Sequence, residues 1–476
     1  GASGSAAVSD GGAGTSSSAG GGSAGSGGTG GGPGGRFDSF SNYRLTGSWP
    51  ELKAVIEQKP GTLDFTRVQV HNRFLAESCS IADYNNDGVP DVSSGRRWFE
   101  GPDFITEHMF RDGHEDLPRD GLGTEIDTGV SDDYADFAWD LNDDGFADII
   151  NISNPEVPAD RNPNPAPAPQ DPGTAYWYEN PGANWEADPM WPKFPLHLDV
   201  RHEQHALTDV DGDGRPELIG ACKECPPKQT RGYYFRDWTK VGAAWGYAPV
   251  TKTMEFPFNG SGWMHGIGFN DVNGDGLTDM LLPTGAWLQT RDGTGWQQQT
   301  MTGTFYDGDL SANRGGAHMY AWDIDGDGDQ DVFSADWAHG NGLAWYEQTT
   351  PGAFSRHQFM GHQDEVATYG VYFSQPHAAE VVDMDGDGVS DIVTGKARFA
   401  NPDGCGDPDL RGTPVVYVFK TVRDEPGVSG AAHFEPYLVD DVSGVGRQFA
   451  VGHANTDGIM DICVGSKVGL YVFLGK

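Results

Sequence analysis

A nine-residue pattern, Asp-x-Asp/Asn-x-Asp-Gly-x-x-Asp/Glu, returns six times along this chain, and no other feature limits its fold as strongly. The copies begin at Asp83 (DYNNDGVPD), Asp140 (DLNDDGFAD), Asp209 (DVDGDGRPE), Asp271 (DVNGDGLTD), Asp323 (DIDGDGDQD) and Asp383 (DMDGDGVSD). A worn seventh copy begins at His453 (HANTDGIMD). Successive copies start 57, 69, 62, 52, 60 and 70 residues apart. Each repeat is a structural unit whose core is completed by its neighbours. A period of this length fits one four-stranded blade of a β-propeller with its loops.

The residues around each copy agree. Short runs of small and apolar residues precede it, as in Ala378–Val382 and Met319–Trp322. Others follow it, as in Ile149–Ile152, Met280–Leu282 and Ile392–Thr394. These read as strands A and B of a hairpin turned by the Asp-rich loop. A third strand is often aromatic (YWYE from Tyr176, AWYE from Ala344, VVYVF from Val415, LYVF from Leu470), and a fourth alternates polar with apolar residues, as in Phe354–Phe359 and Phe434–Leu438. The seventh repeat ends without a fourth strand, while Phe65–Val70 (FTRVQV) stands spare before the first. Placing it in the last blade leaves no open edge in the ring. The expected fold is all-β: a seven-bladed β-propeller with calcium loops between strands A and B, closed by an N-terminal strand in the last blade.

Alternate Asp and Asn side chains at loop positions 1, 3 and 5 turn toward one point. Gly at position 6 permits the sharp turn, position 7 offers its carbonyl, and the acid at position 9 completes the shell. Hard oxygen donors at this spacing suit Ca2+. The expected ligands are Asp83, Asn85, Asp87 and Asp91, with the Val89 carbonyl; Asp140, Asn142, Asp144 and Asp148; Asp209, Asp211, Asp213 and Glu217; Asp271, Asn273, Asp275 and Asp279; Asp323, Asp325, Asp327 and Asp331; and Asp383, Asp385, Asp387 and Asp391. That makes about six sites. The competing reading is a metal-free Asp-Gly turn held by side-chain hydrogen bonds. The seventh loop has His453, a poor calcium ligand, at position 1, so Asn455, Asp457 and Asp461 are expected to make such a turn.

These loops resemble those of FG-GAP and VCBS repeat proteins, among them the propeller of integrin alpha subunits. The resemblance spans roughly residues 62–476 and rests on the loops and their spacing, since a Phe-Gly…Gly-Ala-Pro signature is not clearly present. It implies that the Asp loops share one face of the ring. The starts of the A strands and the B–C loops then share the other face, around a central funnel. On that implication Glu77, Asp133, His202, Glu203, His205, His265, His318, His377 and Arg447 converge from the A strands. Arg96, Arg97, Lys223, Lys228, His339, Lys396 and Arg398 join them from the B–C loops. His318 stands one residue out of step with His265 and His377, so it is expected to point elsewhere. Trp98, Trp263, Trp287 and Trp337 lie near these loops, where aromatic planes suit sugar rings or simply pack the blades.

Composition narrows the function. The net charge is −39 over 476 residues, which disfavours nucleic acid as a partner. Yet 37% of residues are hydrophobic and 14 are Trp, too many for a disordered acidic chain. Residues 1–35 are nearly all small and read as a flexible tether, like the spacer of a bacterial lipoprotein whose lipidated Cys has been removed. Residues 36–61 form a pre-propeller segment and 62–476 the propeller. The lack of a starting Met and of a signal peptide is what a trimmed form would show. No stretch is apolar enough for a transmembrane span. The expected location is extracellular or on the outer cell surface, with a lipid anchor through the tether. Five cysteines are too few for a disulfide scaffold; Cys222, Cys225 and Cys405 suggest a local bridge or free thiols.

Two functions follow. The first is a binding module that holds a carbohydrate or a cell-surface protein in the funnel, using Glu77, Asp133, Glu203, His205, Arg97, Arg398 and Arg447. The alternative is an enzyme, a carbon–oxygen lyase or dehydratase on a sugar, supported by a weaker resemblance to the propeller of fungal aldos-2-ulose dehydratase. There His265 or His377 would abstract a proton, and Arg96, Arg97 or Lys396 would stabilise the enolate. A further divalent metal held by His265, His318, His339 or His377 would assist. No GxSxG nucleophile motif is present.

Overall fold

In the computed structural model, residues 63–112, 133–153, 175–196 and, with short interruptions, 205–476 are described. The tether at 1–35, the segment 36–61 and the Pro-rich insert at 154–173 lie outside them. The fold is all-β. Its one α-helix among the described residues is the single turn Val366–Tyr369. None of the described helices is long and apolar enough to cross a membrane.

Seven four-stranded antiparallel sheets follow one another along the described chain. Their innermost strands are Ser80–Ala82, Asp133–Trp139, His205–Thr208, Gly268–Asn270, Tyr320–Trp322, Ala379–Val382 and Ala450–Gly452. We number the sheets 1 to 7 in that order. In sheets 1 to 6 four strands run outward in chain order. Sheet 3 carries an extra hairpin, Trp238–Val241 with Ala244–Tyr247, before its fourth strand. Sheet 7 takes its outer strand from the other end of the chain: Phe65–His71 pairs with Gly469–Gly475, Phe65 opposite Gly475 and Val68 opposite Val472.

The cores lie between sheets, because each sheet is apolar on both faces. Trp98 and Tyr84 of sheet 1 pack with Ile149 and Tyr176 of sheet 2. Leu207 and Leu218 of sheet 3 join Phe137 and Ile150 of sheet 2. One cluster runs from Ile219 of sheet 3 through Met280 and Trp345 to Phe419 of sheet 6. Val393 and Val418 of sheet 6 meet Ile462 and Val451 of sheet 7, and Leu470 and Val472 of sheet 7 meet Ile81 and Val92 of sheet 1. The sequence of contacts thus returns to its start.

A disulfide between Cys79 and Cys463, with Cα atoms 6.1 Å apart, ties sheet 1 to sheet 7 across 384 residues of chain. This bridge is separate from the local one expected at the other three cysteines. Cys222 and Cys225 lie on the strand Glu217–Cys225, and Cys405 lies outside the described residues. Nothing in the spacing of Cys79 and Cys463 marks them as partners; only the return of the chain brings them together.

Candidate functional site

The A–B turns of the seven sheets stand at one end of the strands, and the A-strand starts and B–C turns at the other, as antiparallel pairing demands. At the first end, Gly at loop position 6 has positive φ in all seven copies, from 81° at Gly458 to 103° at Gly328. Only glycine enters that region at no steric cost. Position 1 accepts backbone N–H groups from within the loop: Asp83 from Asp87 and Gly88, and Asp383 from Gly386, Asp387 and Gly388.

Position 9 has a role that sequence reasoning missed. In every loop one of its carboxylate oxygens accepts the N–H of position 2, as Asp91 does from Tyr84 and Asp331 from Ile324. In six sheets the second oxygen accepts an N–H from the third strand or the residues beside it: Gly101, Asn180, Gln289, Gln348, Thr421 and Gly475. This acid therefore pins loop to blade, whether or not it also touches an ion. Burial pushes Asp91 and Asp331 up to about 8 and Asp279 and Asp461 to about 7, so these acids resist ionising when no cation is near.

Oxygens of Asp323, Asp325 and Asp331 lie within 4.8 Å of one another, as do those of Asp383, Asp385 and Asp391. Donors that close fit a calcium ion. In the sixth loop the Lys420 ammonium touches Asp385 and lies 2.7 Å from Asp387, showing where positive charge is drawn. Asp211 and Asp213 of the third loop lie outside the described residues. In the seventh loop His453 Nδ1 donates to the Ile459 carbonyl at 2.9 Å, the oxygen that would otherwise face an ion. Asn455, Asp457 and Asp461 make the remaining turn bonds.

At the opposite end the structure gathers three of the expected histidines from three neighbouring sheets. His265 precedes the inner strand of sheet 4, His339 sits in the B–C turn of sheet 5, and His377 precedes the inner strand of sheet 6. His265 Nε2 and His339 Nε2 are 2.9 Å apart. The ring centroids lie 4.7, 5.1 and 5.0 Å apart, each pair near perpendicular. His265 and His377 are buried and His339 is partly so. His339 Nδ1 lies 3.2 Å from Asp407, a carboxylate missed in the sequence because it follows a Gly/Asp/Pro-rich loop with no regular pattern.

His318 stands apart from this group. Its Nδ1 faces the Ala379 carbonyl at 3.3 Å, and burial pulls the imidazole down to about 4, so it stays neutral. Lys396 is fully buried, donates to Ser374 Oγ at 2.6 Å, and burial lowers its ammonium to about 8. Arg398 lies over Phe399, its guanidinium carbon 4.8 Å from the ring centroid. Gln375, at φ 60°, donates to the Pro408 carbonyl and accepts the Ala400 N–H. These side-chain bonds hold a non-glycine residue in a region it rarely adopts.

A second buried group fills the same end under sheets 7, 1 and 2. Glu77 lies 3.6 Å from Arg447 and 3.8 Å from Lys467. Arg447 lies over Tyr134 and donates to the Ala400 carbonyl. Lys467 donates to the Phe399 carbonyl, so both groups share that segment. Asp133 is held by Arg111 and by Asn151, and Asp136 by Asn151 and Ser78. His205 stacks beside Tyr134 at 6.2 Å.

Other expected residues are placed differently. Arg97 turns to Glu107 of its own sheet at 2.5 Å. Trp98 is buried and stacked on His108 at 4.2 Å, a packing residue rather than a sugar platform. His202, Glu203, Lys228 and Trp263 lie outside the described residues, and Lys223 is described only as part of a strand.

Residues 323–394, spanning the fifth Asp loop to the second strand of sheet 6, match the FG-GAP-like repeat. No curated protein matches the chain. Among solved structures it is similar to a lectin of Agrocybe aegerita that recognises non-reducing terminal N-acetylglucosamine, at 17% identity over 79% of this chain and 81% of that one, with a TM-score of 0.39. It is also similar to a rhamnogalacturonan lyase of Bacillus licheniformis, at 12% identity over 90% and 75% with a TM-score of 0.36. A gluconolactonase of Xanthomonas campestris follows at 9% identity over 89% and 99%, with a TM-score of 0.30. Likenesses this distant identify neither ligand nor reaction.

Proposed function

We propose that the seven sheets are the blades of a closed, exported propeller, stabilised by calcium in its Asp loops, that binds a carbohydrate at the opposite end. The observation that carries the reading is the gathering there of His265, His339 and His377 with Asp407 behind His339, and of Lys396 within electrostatic reach of Asp407 and Arg398. Donors and acceptors of both signs, partly withdrawn from water, suit a ligand with many hydroxyls and a carboxylate more than an apolar one. The calcium assignment draws support from the close Asp oxygens. Export draws support from the Cys79–Cys463 bridge, since such bonds persist in oxidising compartments.

Isothermal titration of the calcium-loaded full chain against neutral and uronic oligosaccharides tests this. Binding that weakens at least tenfold in Arg398→Ala supports it, and no binding to any of them refutes it. A lyase reading rests on one further observation, a buried Lys396 whose ammonium is lowered to about 8 and so can exchange protons near neutrality. Incubation with unsaturable uronides would then raise a new ultraviolet absorbance that Lys396→Met abolishes.

A further inference from the structure

We infer that His265, His339 and His377 form a binding centre for one divalent d-block ion, distinct in chemistry from the calcium loops. Each imidazole comes from a different sheet, and their ligating nitrogens lie within 4.8 Å of one another. Two nitrogens of a tetrahedral ion bound at about 2.0–2.1 Å stand about 3.3 Å apart. His265 Nε2 and His339 Nε2, at 2.9 Å, are already near that spacing. Mutually perpendicular rings, none stacked, leave room for nitrogens to face a common point.

Asp407 supplies the second observation. Its carboxylate accepts from His339 Nδ1, so the proton of that ring sits on Nδ1 and the lone pair sits on Nε2, facing His265. A carboxylate behind a ligating imidazole fixes its tautomer and orientation and strengthens it as a donor. Nitrogen donors select zinc, iron, copper or their neighbours over calcium and magnesium. Three protein ligands leave a position open to water or to a ligand oxygen. That a carbohydrate oxygen takes this position rests on the carbohydrate reading above; the metal centre itself does not.

The test uses the full chain in excess calcium, titrated with Co2+ and, separately, Zn2+. One equivalent of tightly held ion, with the visible absorption of low-symmetry nitrogen-ligated Co2+, is expected, and its loss in the His265→Ala/His339→Ala double variant. Substoichiometric uptake with only the spectrum of aqueous Co2+ overturns the inference, as does full uptake by the double variant. Should that variant fail to fold, judged by its melt in calcium, Asp407→Asn decides. Affinity weakened about 10–100-fold supports the centre, and unchanged affinity overturns it. Carbohydrate titration of the same samples separates the claims: metal without carbohydrate sinks the carbohydrate reading alone, and carbohydrate without metal sinks the centre alone.

Discussion

Breaking the Cys79–Cys463 bridge should cost this protein more than most disulfides cost theirs. The bond closes a loop with a sequence separation of 384, and chain entropy for a free coil of that length gives about 6 kcal/mol at 25 °C. Residual structure in the denatured chain reduces measured values to about 2–5 kcal/mol. The location adds a second effect. The bridge spans sheets 1 and 7, where the outer strand Phe65–His71 joins the two ends of the chain. That junction is non-covalent otherwise, so it is where unfolding should begin once the bond is cut. The assay is urea unfolding in fixed calcium, comparing oxidised protein with Cys79→Ala/Cys463→Ala. A midpoint lowered by roughly 1 M is expected for a slope of a few kcal/mol per molar. Thiol titration of denatured, unreduced protein should find at most three of the five cysteines reactive. Five reactive thiols, or equal midpoints, would refute the reasoning.

The Asp loops predict opposite responses to pH with and without calcium. In stripped protein, Asp91 and Asp331 at about 8 and Asp279 and Asp461 at about 7 stand above the unfolded value of 3.8. The native state then binds more protons between about pH 4 and 8, and stability falls as pH rises through that window. Bound calcium would hold the carboxylates charged, reversing the slope so that stability is lost on acidification. Melting curves from pH 5 to 8, stripped and loaded, check this, and slopes of one sign would refute it. Asp331→Ala leaves the Ile324 and Gln348 N–H groups without their acceptor. At about 1–3 kcal/mol for each, it should cost about 2–6 kcal/mol by denaturant unfolding, even in chelator. Arg111→Ala strands the buried Asp133 charge and should cost about 3–5 kcal/mol, most of it recovered when Asp133→Asn is added; a double variant as unstable as the single would contradict this.

The loops were legible because their geometry demands a local pattern. Positions 1, 3, 5, 6 and 9 sit within one turn, so their chemistry is written side by side, and the strands around them alternate with it. The outer strand Phe65–His71 was legible for the complementary reason, that the last repeat lacked one. The histidine group was legible only as a set. Sequence register placed His265, His339 and His377 at the same end and set His318 one residue out of step, and the structure does turn His318 to a backbone carbonyl. Asp407, Arg111 and Lys467 were not legible at all. They act on residues 22 to 390 positions away, through contacts that exist only once the sheets are in place. Arg97 was read to the right turn, while its pairing with Glu107 of the neighbouring strand was not legible.

The two buried groups at the histidine end differ in what they leave available for a ligand. Asp133 spends one oxygen on Arg111 and the other on Asn151, while Glu77 faces both Arg447 and Lys467. Such a network pairs buried charges of opposite sign, which suits a role in holding sheets 7, 1 and 2 in register. The group under sheets 4 to 6 is arranged otherwise. Three imidazoles from three sheets meet within 4.8 Å of one another, with the Asp407 carboxylate behind one of them. Imidazoles brought together at one point stabilise little by themselves. The contrast between opposite charges paired in one half and nitrogen donors gathered in the other is why the proposed metal centre is sought beneath sheets 4 to 6.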